Sequence, residues 1–144
     1  MKQGTFQENI FIHCDVASAM NLLTNFTEYH NFHPLIEKVE VAAYTPLNTH
    51  RYFITDKLQW GPFHFRIRYQ VDVLSVTKNS IHTKAKHFPN VYLDNLTTVS
   101  PKGNGVYLQE TVKLQTPSLL YAYTFKQAHK AHQEMFQHIK HHLE

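Results

Sequence analysis

Four polar side chains interrupt otherwise apolar faces of this sequence: Tyr69, Asn95, Glu110 and His132. Glu110 shares its parity with Val106, Leu108, Val112 and Leu114 in a strand-like run. A carboxylate on that face loses hydration and needs a cation or hydrogen-bond donors to meet it. A bulge in the strand or an arginine partner would account for it as well. His132 is the one histidine in the apolar stripe Tyr121, Phe125, Ala128, His132, Met135, Phe136, Ile139 and Leu143, which repeats at helical spacing. Ala128, one turn earlier, and Ala131 leave little side-chain bulk beside it, enough room for a ligand with an imidazole at its wall. A histidine satisfied within a core has the same spacing. Tyr69 and Asn95 (the latter in register with Val91, Leu93 and Val99) each offer a hydrogen bond to a guest that is mostly hydrocarbon, the usual makeup of a pocket. Backbone or surface water would satisfy the Tyr69 hydroxyl equally. The candidate ligand-binding set is therefore Tyr69, Asn95, Glu110, Tyr121, Phe125, Ala128, His132 and Phe136.

Other chemistry-bearing residues carry less. His138, His141 and His142 have the i, i+3, i+4 spacing that can hold zinc. No fourth ligand accompanies them and they lie on the polar side of their helix, so a solvated face and no metal are expected. Cys14 has no partner motif of a thiol nucleophile. Arg66, Arg68, Lys84 and Lys86 make a basic outer face, too small and too poor in aromatics to argue nucleic acid. The formal charge of +3 is modest and its cations are scattered, although twelve histidines would add charge near pH 6. A lone cysteine rules out an intrachain disulfide. Met1-Lys2-Gln3-Gly4 enters a strand pattern with no signal-type segment, and no apolar run is long enough to span a membrane. The expectation is a soluble cytoplasmic protein with no cofactor. A protein partner or a second copy of the chain stays open.

The elements that must position these residues can be read from period and punctuation. Thr5 to Ile12 alternates as a half-buried strand, and Asp15 caps a short helix carrying Val16, Met20 and Leu23. A second short helix or turn runs from Asn25 to Phe32 and stops at His33-Pro34. Strands are then expected at Ile36 to Tyr44, His50 to Trp60, Phe63 to Val76, Ser80 to Phe88, Val91 to Ser100 and Val106 to Gln115. Their turns are Thr45-Pro46-Leu47-Asn48, Gly61-Pro62, Lys78-Asn79, Pro89-Asn90 and Lys102-Gly103-Asn104-Gly105. Such short links imply an antiparallel meander. Ser118 to Leu143 has no Gly or Pro, with Thr116-Pro117 read as N-cap and first helical residue. At 1.5 Å per residue it spans about 39 Å. An amphipathic helix of that length and a sheet with one apolar face must cover each other. The 144 residues are read as a single α+β domain, residues 1–144.

The stretch Ile10 to Val41, IFIHCDVASAMNLLTNFTEYHNFHPLIEKVEV, resembles the START-like or helix-grip superfamily, which includes polyketide cyclases and dehydratases, birch-pollen allergens and lipid-transfer START domains. It has the strand, the short helix, the "hP-x-I-x-x-V" junction and the second strand, with Asp15 where such chains often have proline. The resemblance implies a curved antiparallel sheet of six to seven strands around a long C-terminal helix, with two short helices between the first two strands and a cavity for an apolar ligand. The favoured function is binding of a lipid-, quinone- or polyketide-like molecule. The alternative is a cyclase or dehydratase using Glu110 and His132 as acid and base. A third reading is an accessory protein that hands its ligand on, with Tyr29, Phe32 and Leu35 as an apolar rim.

Overall fold

The computed structural model describes residues 1–43 and 49–144. β1 (Lys2–Ile12) leads to α1 (Val16–Thr24) and a 3₁₀ turn at Phe26–Asn31. Six strands follow: β2 (Ile36–Val41), β3 (His50–Trp60), β4 (Phe63–Val76), β5 (Ser80–His87), β6 (Val91–Lys102) and β7 (Gly105–Thr116). A 3₁₀ turn at Ser118–Leu120 then feeds α2 (Tyr121–Leu143). The seven strands form one antiparallel sheet in the order β1-β7-β6-β5-β4-β3-β2, so the first strand closes the far edge of a meander. Register shifts between Ile36 and Lys38 and between Val73 and Ser75 mark irregularities that bend the sheet. This is the expected α+β helix-grip architecture.

Local chemistry explains the elements. Asp15 accepts a hydrogen bond from the Ser18 amide at 2.7 Å and caps α1, which buries Ala19, Met20 and Leu23. Gly103 adopts φ 58°, a left-handed value that the β6–β7 hairpin needs and that glycine tolerates. Gly4 is needed for a different reason: a Cβ there would lie 1.7 Å from the Tyr121 hydroxyl. The missing side chain lets the start of α2 settle on β1.

Two expectations change. Thr116 is the last residue of β7 and fully buried, and its hydroxyl donates to the Pro117 carbonyl at 2.8 Å instead of capping the helix. Pro117 has ψ 138°, which is extended, so it precedes the 3₁₀ turn and is not the first helical residue. β2 ends at Val41, and the expected turn at 45–48, with Tyr44, lies outside the described residues.

Ile12, Val99, Leu108 and Ile139 have no solvent exposure, and with Met135 and Phe136 they fill the space between the C-terminal half of α2, α1 and strands β1, β6 and β7. Phe32 belongs to this core at 4% exposure, so it is no rim residue. Tyr29 packs against the core and donates its hydroxyl to the Leu23 carbonyl at 2.5 Å.

Candidate functional site

α2 lies along β1 and β7. Toward β3 the sheet curls away from the helix and encloses a cavity of about 480 Å³, within the range of small-molecule pockets. Its walls are aliphatic and aromatic: Leu58, Ile67, Val71 and Leu93 from the sheet, Ala128 and Ala131 from α2. The small helix residues make that space, as their sizes implied.

The polar lining is a connected set. The His132 Nδ1 lies 2.5 Å from Glu110 Oε1, and the Asn95 amide donates to Glu110 Oε2 at 2.7 Å. Thr97 in turn donates to Asn95 Oδ1 at 3.1 Å, which fixes the amide's orientation. Glu110 is 2% exposed, so each of its oxygens has a partner where water does not reach. Burial pulls the His132 pKa down, but the charge and hydrogen bond of Glu110, helped by Asp56 and Glu8, outweigh it and leave it raised. Glu110 thus favours the charged form of His132. Phe6 closes its β1 side, edge-on to His132 with ring centres 5.7 Å apart.

Two further residues join it. Asp56 on β3 is buried and accepts from the Tyr69 hydroxyl at 3.2 Å. Burial pushes its pKa up to about 6, against the Tyr69 hydrogen bond and the His132 charge. Burial first, then the Asp56 charge and hydrogen bond, hold the Tyr69 phenol well above its ordinary range, so it stays a donor. His33 stands edge-on to His132 with ring centres 5.5 Å apart. Burial and the charge of His132 bring its pKa down to about 3. It is therefore neutral, accepting at Nδ1 from the Leu35 amide at 3.2 Å. Among the described residues no fully buried side-chain nitrogen or oxygen lacks a partner, so the second nitrogen of His132, which makes no protein hydrogen bond, opens on the cavity.

The fold thus brings Tyr69, Asn95, Glu110, Ala128, His132 and Phe136 together around one space. It does not bring Tyr121 and Phe125 there. Phe125 packs on Phe6 at 5.5 Å, and Tyr121 sits against Gly4 beneath the Lys2 ammonium, because both turn toward β1. Asp56 and His33 were missed by sequence reasoning. Asp56 shares parity with Ile54 and Leu58 and was open to the argument that found Glu110; His33 carried no such signal beside Pro34.

Several of the remaining candidates have local partners. His138 Nδ1 meets the Phe32 carbonyl at 3.0 Å. Arg66 pairs with Glu37 at 2.6 Å, Arg68 lies over the Phe53 ring, and Lys84 is 3.7 Å from Asp94, so acids and rings of neighbouring strands break up the basic face. Burial, then Asp15 and Glu144, raise the Cys14 thiol's pKa, which disfavours the thiolate.

No family model matches this sequence, and no curated protein matches it either. Solved structures match nearly its whole length. The di-domain ARO/CYC protein BexL superposes with a TM-score of 0.80 at 8% identity, over 99% of this chain and 50% of its own. Ara h 8.0201 gives 0.71 at 10% identity, over 99% and 98%. A STAR-related lipid transfer protein of Xanthomonas axonopodis gives 0.64 at 12% identity, over 96% and 85%. The chain has the helix-grip fold. It spans half the length of BexL and nearly all of Ara h 8.0201. At these identities the likeness extends to the fold and not to the function. Among the described residues no helix is long and apolar enough to cross a membrane.

Proposed function

We propose that this chain, as one START-like domain over residues 1–144, binds a small, mainly apolar molecule of lipid-, quinone- or polyketide-like character in the cavity. The observation that carries this reading is an apolar space of about 480 Å³ with one compact polar cluster at its wall. The hydrocarbon body of the guest fills the space between Leu58, Ile67 and Ala128. An oxygen on the guest takes a hydrogen bond from the open nitrogen of His132, held in place by Glu110 and Asn95. The solved STAR-related lipid transfer protein of the same fold supports a guest of this class. Native mass spectrometry of the purified protein should find a co-purified small molecule, and an anilinonaphthalene dye should bind with one-to-one stoichiometry. Ala128→Trp, which fills the cavity from the helix side, should abolish dye binding with the fold retained. Dye binding unaffected by this substitution would overturn the assignment.

A second reading is favoured by Asp56, whose pKa of about 6 lies near working pH. With His132 it supplies two titratable groups on one cavity, the arrangement a cyclase or dehydratase needs. Glu110, already bound to His132 at 2.5 Å, then positions the imidazole and does not itself exchange protons with substrate. Asp56→Asn separates the two readings: a binder keeps its affinity, while an enzyme keeps binding and loses turnover.

A further inference from the structure

The apolar rim of the cavity is not where the sequence suggested. It lies at the other end, where the β3–β4 hairpin, the β5–β6 turn and the start of α2 converge. Phe88 is 90% exposed, Phe63 72%, Trp60 54% and Leu119 95%. Trp60 and Phe88 line the cavity, Phe63 is the register partner of Trp60, and Leu119 precedes the lining residue Leu120. Trp60 stacks on Tyr123 with ring centres 4.9 Å apart, which ties the hairpin to the helix. Four large apolar side chains thus stand in water around one opening, more than scattered surface hydrophobes account for.

The charges around this end are one-sided. Residues 57–66, 86–93 and 114–126, with 1–4 of the neighbouring strand, contain no Asp or Glu, although the chain has eleven. The same segments carry Lys2, Lys57, His64, Arg66, Lys86, His87 and Lys126. Arg66 is paired with Glu37, but Lys2, Lys86 and Lys126 make no ion pair among the described residues; Lys2 and Lys86 lie over Tyr121 and Tyr92. Exposed aromatic and aliphatic side chains flanked by unpaired cations fit a surface that is apolar beneath and negative on top.

We infer that the mouth of the cavity docks on an anionic lipid bilayer, with Trp60, Phe63, Phe88 and Leu119 entering the interfacial layer and Lys2, Lys86 and Lys126 facing lipid headgroups. This orientation turns the opening toward the hydrocarbon, so an apolar guest enters or leaves without crossing water. The inference rests on the ligand-binding reading for its purpose but not for its geometry.

The test uses the full chain, whose only tryptophan is Trp60, with vesicles of phosphatidylcholine alone or mixed with phosphatidylglycerol. Trp60 emission should shift to the blue, and the protein should co-sediment, only with the mixed vesicles; raising salt from about 0.1 to 0.5 M should release it, because screening weakens headgroup attraction. Phe63→Ser/Leu119→Ser, at two positions outside the cavity lining, should lower partitioning at least tenfold and leave dye binding unchanged. Absence of any vesicle binding, or partitioning indifferent to this double substitution, overturns the inference. So does a rim-dependent dimer in sedimentation equilibrium, which would assign the patch to a second copy. Loss of dye binding in the parent protein would defeat the ligand reading while leaving the vesicle result to stand or fall alone.

Discussion

The two halves of α2 press against different surroundings. Past Phe136, which borders both regions, the helix meets a filled core in which Ile12, Leu108, Val99 and Ile139 exclude water completely. Before His132 it presents Ala128 and Ala131 to an open space walled by Ile67, Val71 and Leu93. One amphipathic stripe therefore does two jobs. Stability is concentrated where side chains interdigitate, since dispersion and water exclusion need contact on all sides. Binding capacity lies where small helix residues face a sheet that has bent away. The titratable groups follow the same division: Asp56, His33, Glu110 and His132 all line the hollow half.

The sharpest way to break this contrast is a pair of truncations. Ile139→Ala should destabilise by about 2–5 kcal/mol, the usual loss for a fully packed aliphatic residue. Ile67→Ala, on the cavity wall, should lose only about 1 kcal/mol, because its neighbours already leave it partly unpacked. Urea midpoints of the two variants measure the difference, and equal losses would end the distinction between the halves.

The next effect is electrostatic. Asp56 ionises at about 6 in the folded chain against an ordinary 3.8. Its folded form holds the proton longer, so this group's contribution to stability falls as pH rises from about 4 to 6. A gap of about two units corresponds to about 3 kcal/mol at most. Asp56→Asn, whose carbonyl still accepts from Tyr69, should raise the melting temperature at pH 7.5 and leave it little changed at pH 3.5. His33 has the opposite sign. Its pKa is depressed to about 3, so its contribution is present above 6.5 and is lost as pH falls toward 3. His33→Asn should flatten the acid limb of the stability profile. His132, with a raised pKa, contributes fully below 6.5 and loses that contribution as pH rises through its folded value.

The smallest expected effect is at Gln59, whose carbonyl accepts from the Tyr123 hydroxyl at 3.2 Å across the cavity mouth. Tyr123→Phe removes that bond and keeps the stacking on Trp60. At a half-exposed site this is expected to be worth about 0.5–1 kcal/mol. A larger loss in thermal unfolding would mean that the mouth, and not the core, sets the stability of the hollow half.

What the sequence determined by itself was periodic. Alternation placed Phe65, Ile67, Tyr69 and Val71 on one face of β4, and the same parity put Glu110 inward on β7. Helical spacing put His132 on the buried stripe, because each of these facts depends only on neighbours a few residues away. What crosses the sheet was decided by tertiary structure. Glu110 meets His132 twenty-two residues on, and Asp56 and His33 reach the same cavity from β3 and from the loop before β2. Parity alone cannot distinguish a residue pressed against its partner surface from one facing empty space. That depends on how far the sheet bends from the helix, and the bend is set by the register shifts in β2–β3 and β4–β5 and by where Gly4 lets α2 rest on β1. For the same reason Tyr121 and Phe125, on the stripe by spacing, belong to β1. The direction a side chain faces is a local property, but what it meets there is set by the distance between two surfaces far apart in the chain.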